Sequence, residues 1–327
     1  MFSKRKIRVA INGFGRIGRA FYKIASKRPE IEIVAVNDLG SKDNLEYLLK
    51  HDSVYGTWDG AFDVKFLQEK EPAKLPWKDL DIDVVVESTG FFTTFEKAKV
   101  HLDAGAKRVV ITAPTRDDAA ATVLMGVNDE KLSSCQVSSN ASCTTNAASP
   151  LIAILDEALG IEKAVLNTAH GYTASQSLVD GPSRKGMREG RAAAINIVPS
   201  STGAAIAVTK AFTKLDGLFD GISMRVPVAA GSLVDVTFIA KRNTSAEEVN
   251  GILKKAAEDK RWQGIFAVTE EELVSSDILG SPYGSIADLT LTRVVGGNLV
   301  KVLAWYDNEM GYAYTLTDHV IKAGSHI

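Results

Sequence analysis

Cys143 stands inside Ser139-Asn140-Ala141-Ser142-Cys143-Thr144-Thr145-Asn146, a polar run leading into apolar periodicity at Leu151, Ile154 and Leu155. The pattern predicts a helix with Cys143 at or just before its N-terminus. Unpaired N–H groups there favour an anion and draw a thiol towards the nucleophilic thiolate. The same pattern also describes a buried cysteine among capping hydroxyls, and the residues alone leave the two readings balanced. Cys135 lacks this setting and reads as inert. A cysteine nucleophile needs a base. Of the histidines, His170 ends the strand-like residues 164–169 and precedes Gly171-Tyr172-Thr173, a sheet-end position suited to a site. His51, His101 and His319 lie in charged surroundings and His326 in the tail, so solvated side chains are expected there.

Gly13-Phe14-Gly15-Arg16-Ile17-Gly18 supplies a second chemistry. Three glycines in six positions can be a mere turn. Here they follow a short apolar strand, residues 7–11, and open a helical stretch, residues 16–26. Asp38 lies about 20 residues beyond Gly18, at the end of the next strand. That context is the dinucleotide fingerprint: glycines for the turn and close approach, a helix N-terminus for the pyrophosphate, and a carboxylate for the adenosine ribose. A carboxylate at Asp38 repels a 2′-phosphate, so the expected cofactor is NAD rather than NADP.

The elements around these residues alternate in the first half. Apolar strands at residues 7–11, 31–36, 84–86 and 109–111 are separated by helical stretches, one of them at residues 96–104. Such runs belong to a parallel sheet covered on both faces. The second half has longer strands at residues 163–168, 222–226, 233–240 and 300–305, with helices at 203–212 and 246–257. Successive strands without an intervening helix point to a mixed or antiparallel sheet. The expected architecture is an α/β Rossmann domain, a doubly wound parallel sheet over residues 1–142, joined by a C-terminal helix at 309–327. An α+β catalytic domain takes residues 143–308. Residues 178–199 read as a long ordered loop.

Lys plus Arg number 38 against 40 Asp plus Glu, a net charge of −2, without the basic excess of a dedicated nucleic-acid binder. Two cysteines cannot build a disulfide framework or a four-cysteine metal site. The apolar runs are too short for a membrane span, and residues 7–11 after the basic start are too short and too charged for a signal h-region. A cytoplasmic protein with no metal site and no nucleic-acid or membrane partner is expected.

Residues 12–19, Asn37-Asp38, Glu87-Ser88-Thr89-Gly90, 139–146, 170–173, 199–205, Arg225-Val226-Pro227 and 305–309 together resemble the phosphorylating glyceraldehyde-3-phosphate dehydrogenases over essentially the whole chain. The resemblance implies a glycolytic enzyme in which Cys143 attacks the aldehyde, His170 acts as base, NAD accepts hydride and inorganic phosphate releases the thioester as 1,3-bisphosphoglycerate. It assigns Thr173, Arg225, Arg188, Ser142, Thr144, Thr202 and Gly203 to two anion sites, for the substrate phosphate and for the incoming one. It gives Asn308 the nicotinamide carboxamide, places Thr112 near the cofactor and Lys70 on the adenine side, and implies a homotetramer.

Some residues depart from the family pattern. The stretch between Gly56 and Gln68 is short, as though a hairpin were trimmed. Lys70 replaces an arginine and cannot stack or fork as arginine does. Gly171 follows the histidine where Ser or Ala is usual, and Val228-Ala229-Ala230-Gly231 is an uncommon version of its segment. Two other functions fit the same fold: an erythrose 4-phosphate dehydrogenase, and a binding or regulatory homologue. The His170-Gly171-Tyr172-Thr173 stretch speaks against the first. Retention of Cys143, His170, Arg225 and Asn308 speaks against the second.

Overall fold

A computed structural model describes residues 5–183 and 186–327; residues 1–4 of the basic start lie outside the described residues. The chain divides into two units, Met1–Ser142 with Ala313–Ile327, and Cys143–Tyr312.

The sheet of the first unit runs in the order Lys65–Leu67, Ile31–Asn37, Ile7–Asn12, Val84–Glu87, Arg108–Ile111, Val137–Ser139, Ala121–Thr122. Every neighbouring pair is parallel. Val9, Ile11, Val85 and Val110 are fully buried, as β-branched strands are when both faces are covered. Strand order reverses at Ile7–Asn12, so a crevice opens beyond the carboxyl ends of Ile7–Asn12 and Val84–Glu87. That is the switch point at which open α/β sheets bind ligands. The helical stretch expected at 96–104 is two single turns, Phe95–Ala98 and Val100–Asp103.

The second unit holds a mixed sheet in the order Val198–Ser201, Phe219–Val226, Ile161–Gly171, Ser232–Ala240, Leu299–Tyr306, Ser285–Asp288, Phe266–Thr269, with Arg293–Val295 beside Leu299–Tyr306. Phe219–Val226 and Ser232–Ala240 follow one another in sequence yet do not pair. They flank Ile161–Gly171, the first in parallel and the second antiparallel. This puts the end of Ile161–Gly171, with His170, in the middle of the sheet. The long helix Cys143–Leu159 is buried along nearly its whole length and ends at Gly160 with φ +68°, a left-handed stop suited to glycine. Within residues 178–199 two short 3₁₀ turns form, Arg188–Gly190 and Ala193–Ile195, where only a loop was expected. Among the described residues no helix is long and apolar enough to cross a membrane.

Two histidines expected in solvent are wholly buried, His101 and His319. Their charged sequence neighbours lie on other faces of the same helices, since each residue turns the helix by about 100°. His319 is held by Ser138 Oγ at 2.8 Å from Nε2 and Asn140 Oδ1 at 3.0 Å from Nδ1. Flanking it, Asp318 reaches Arg28 at 2.9 Å and Lys322 reaches Asp129 at 2.5 Å.

Burial depresses the His319 pKa to about 3, against about 6.5 in an unfolded chain. The unfolded state therefore takes up a proton first as the pH falls. The His319 contribution is complete above about pH 6.5 and is lost progressively down to about pH 3. His319→Gln should lower stability near neutrality yet flatten this part of the acid dependence. Urea-unfolding midpoints from pH 7 to 4 for both proteins measure it; parallel curves would contradict the assignment.

Candidate active site

In the first unit, a cavity of about 590 Å³ opens at the switch point, lined by Asn12, Gly13, Gly15, Asn37, Asp38, Leu39, Glu69, Lys70, Pro72, Ser88, Thr89, Phe91 and Phe92. The glycines of the fingerprint divide the work. A Cβ on Gly13, at φ +94°, would lie 2.7 Å from the Ser88 carbonyl carbon, and one on Gly18 would lie 2.3 Å from the Gly13 oxygen. Gly15 has open space around its Cβ direction and caps the helix Arg16–Ala25. Two glycines thus close the turn, and the third leaves the helix N-terminus open to an anion. The cradle fits a dinucleotide pyrophosphate.

Asp38 is held across the cavity, Oδ2 accepting from Phe14 N at 2.6 Å and Oδ1 from Gly40 N at 2.8 Å. Each oxygen keeps a further lone pair for a ribose hydroxyl. Lys70 is exposed on the cavity wall. Arg16, Ile17, Gly18 and Thr112 do not line the cavity. Arg16 instead binds Asp52 at 3.3 Å, and Thr112 N donates to the Glu87 carbonyl beyond the end of Arg108–Ile111.

The thiol and imidazole belong to the second unit. After Val137–Ser139 the backbone passes Ala141 at φ +55°, a left-handed conformation costly for a residue with a Cβ, and helix Cys143–Leu159 begins two residues later. Ser139 Oγ supports the turn by accepting from Ala141 N at 3.0 Å. Cys143 Sγ lies 3.3 Å from His170 Nε2. His170 Nδ1 is 2.6 Å from the Gly171 carbonyl, and the ring meets Tyr306 edge-on. Tyr306 OH joins Thr144 Oγ1 at 2.9 Å and Thr168 Oγ1 at 2.8 Å, fixing the residue next to Cys143 and the strand bearing His170.

Burial opposes charge on both partners. It pushes the Cys143 thiol up, while the Arg225 guanidinium and hydrogen bonds at Thr144 pull it down. Burial first, and Arg225 second, depress His170 to about 4, so the imidazole is neutral near pH 7. Arg225 Nη1 sits 2.6 Å from His170 Nδ1 and 3.4 Å from the Gly171 oxygen. A guanidinium only donates, so it and the Gly171 carbonyl make opposite demands on Nδ1. For Nε2 to accept the thiol proton, Nδ1–H must face Gly171, which leaves Arg225 to donate to that carbonyl or to an incoming anion.

Of the other expected anion-binding residues, Ser142 ends the first stretch of the first unit, while Thr144, Thr173, Arg188, Thr202 and Gly203 belong to the second. Thr202 and Gly203 begin the helix Ala204–Ala211, where Thr202 Oγ1 accepts from Ala204 N at 3.1 Å. Thr173 Oγ1 meets Ser175 Oγ at 3.0 Å; Arg188 is exposed in its 3₁₀ turn; Ser142 is half-buried and Thr144 buried. Asn308 is buried, and its Oδ1 accepts from Ser232 Oγ at 2.9 Å. Ser232 Oγ also accepts from Gly171 N at 3.1 Å, and with its hydrogen given to Asn308 Oδ1 the amide turns its NH₂ away from Ser232.

Sequence reasoning did not assign roles to Asn12, Asn37, Ser88, Thr89, Ser232 or Tyr306. Asn12 and Asn37 end strands beside the fingerprint glycine turn and Ser88 and Thr89 directly follow another, and that position is their available signal. Nothing local marks Ser232.

Sequence models of the family match twice. The NAD binding domain of glyceraldehyde 3-phosphate dehydrogenase matches residues 7–95, and its C-terminal domain matches residues 142–308. Among curated relatives, glyceraldehyde-3-phosphate dehydrogenase of Mycobacterium avium is 47% identical over 97% of this chain and 98% of its own. That of Clostridium pasteurianum is 46% identical over 94% and 96%. That of Streptomyces coelicolor is 44% identical over 98% and 99%. With both domain models matched in order and near-complete coverage by such relatives, the chain belongs to the glyceraldehyde-3-phosphate dehydrogenase family.

Proposed function

We propose that this chain oxidises D-glyceraldehyde 3-phosphate with NAD and inorganic phosphate, giving 1,3-bisphosphoglycerate, NADH and a proton. The observation that carries the reading is the 3.3 Å approach of Cys143 Sγ to His170 Nε2 at the start of a long helix. His170 takes the thiol proton as sulfur bonds to the aldehyde carbon, returns it to the former carbonyl oxygen, and removes it again as the carbon gives up hydride. Bound NAD supplies the hydride acceptor, and the carbon is left as a thioester of Cys143. Phosphate oxygen attacks that thioester, the C–S bond breaks, and the thiolate is regenerated with the helix N-terminus stabilising it.

The remaining residues take roles by the same chemistry. Gly13, Gly15, Arg16, Ile17 and Gly18 form the pyrophosphate turn, Asp38 holds the ribose, Lys70 stands on the adenine side, and Thr112 follows a neighbouring strand. Asn308 presents its NH₂ to the nicotinamide carboxamide, an orientation that the Ser232 bond supports. Arg225, Thr173, Arg188, Ser142, Thr144, Thr202 and Gly203 supply guanidinium, hydroxyl and backbone donors to the two phosphates. The first unit and the terminal helix act as the NAD-binding domain, and the second as the catalytic domain.

We also infer a cytoplasmic homotetramer. One face of the mixed sheet exposes Val165, Leu218, Ile222 and Leu299 together, an apolar surface of the kind that packs against another copy.

His170→Asn should reduce turnover by ~10²–10⁴ while the protein stays folded, because it removes the base. Arg225→Ala should raise the phosphate concentration needed for turnover. It should also shift iodoacetamide labelling of Cys143 to higher pH, since Arg225 is the charge that draws the thiol down. Full turnover in the first variant, or an unmoved phosphate dependence in the second, would remove that residue from the reaction.

The carboxylate at Asp38 should make the wild type strongly selective for NAD over NADP. Asp38→Gly should narrow the gap by losing NAD affinity and relieving 2′-phosphate repulsion. Ratios of kcat/KM for the two cofactors measure this; equal values in the wild type would contradict it.

A further inference from the structure

We propose that Glu87 is a positioning residue of the dinucleotide cavity, held as an acceptor by a neutral His101 whose tautomer Trp77 fixes. The inference rests on reading that cavity as the NAD site. Glu87 is 1% exposed at the end of Val84–Glu87, and donors surround both its oxygens. Oε1 accepts from Thr89 N at 2.8 Å and Thr89 Oγ1 at 2.5 Å. Oε2 accepts from Asn12 Nδ2 at 2.6 Å and lies 2.9 Å from His101 Nε2.

Trp77 decides the proton on His101. Its indole N–H can only donate, and it lies 3.0 Å from His101 Nδ1. Nδ1 must therefore be the bare nitrogen, so Nε2 carries the hydrogen and donates to Glu87. Trp77 and His101 are both fully buried and neither lines the cavity. The chain continues outward: Asn37 Nδ2 donates to Asn12 Oδ1 at 2.7 Å and to the Glu69 carbonyl at 2.9 Å, while Asn37 Oδ1 accepts from Glu69 N at 2.8 Å. Asn12, Thr89, Asn37 and Glu69 all line the cavity. One buried carboxyl thus orients two opposite walls, the Thr89 side directly and the Glu69 side through two asparagines.

The polarity of this chain makes a sharp test. A glutamine at position 87 brings an N–H against donors in either orientation, and His101 cannot yield while Trp77 holds Nδ1. With Trp77→Phe, His101 can move its hydrogen to Nδ1 and turn Nε2 into an acceptor. The measurement is the NAD dissociation constant by calorimetry on the full-length folded protein, with the Cys143 alkylation rate as a check on the second unit. Glu87→Gln should weaken NAD about tenfold and Trp77→Phe about threefold, with alkylation unchanged. The double variant should bind NAD more tightly than Glu87→Gln alone, a rescue that a purely structural role would not give. Binding within twofold of wild type in Glu87→Gln, or losses that simply multiply in the double variant, would overturn the proposal. If Glu87→Gln does not fold, Trp77→Phe decides alone, and unaltered NAD affinity in it would overturn the proposal. Asp38→Ala separates the underlying reading: unchanged NAD affinity there would mean that the cavity is not the NAD site.

Discussion

The second unit is organised by a contact that its own burial opposes. A thiol and an imidazole 3.3 Å apart exchange a proton readily only if charge is tolerated, and desolvation disfavours charge on each. Two features offset that cost for the thiolate: the N-terminus of a long helix and the Arg225 guanidinium. Both must be delivered together with the pair. The helix has to begin at Cys143, the strand Ile161–Gly171 has to end at His170, and Phe219–Val226 has to run parallel beside it so that Arg225 lies opposite His170. In the proposed reaction the paired register of those two strands is therefore as much a part of the chemistry as the cysteine.

The first unit meets a different constraint, which is to bring backbone close to a ligand without steric penalty. Gly13 and Gly18 remove the side chains that would strike Ser88 and the turn itself. Behind them the cavity walls are fixed by hydrogen bonds that run from Trp77 through His101 and Glu87 to Asn12 and Asn37. Low local polarity strengthens such a network when it is complete and penalises any missing partner.

The departures from the family pattern have local physical explanations. The short stretch after Gly56 remains ordered around aromatic contacts: Phe62 stacks on Phe14, and Tyr22 meets both Phe62 and Trp58 edge-on. Asp52 Oδ1 accepts from Val54 N and Tyr55 N and reaches Arg16, tying the two-rung ladder His51–Asp52 with Gly56–Thr57 to the helix of the fingerprint. At Gly171 a Cβ would approach the Val228 carbonyl to 3.0 Å, and that carbonyl accepts from Tyr172 N. The missing side chain and the unusual segment at 228–231 go together.

By itself, the sequence determined the features that depend on short-range order. Apolar runs punctuated by glycine specify parallel strands and the turn between them, Asp38 follows at a fixed distance, and the polar run before Leu151 starts a helix at Cys143. The mixed character of the second sheet was legible too, because its strands succeed one another without helices. The pairing partners were not, since Phe219–Val226 and Ser232–Ala240 meet a strand about 50 or more residues earlier rather than each other. Nor were His101 and His319 legible as buried, because charges adjacent in sequence point away around a helix. Only the tertiary structure decided that Trp77 holds His101, that Ser232 turns the Asn308 amide, and that Arg225 stands against His170. Each of these depends on the direction of a hydrogen bond between residues far apart in the chain, and sequence spacing carries no information about that direction.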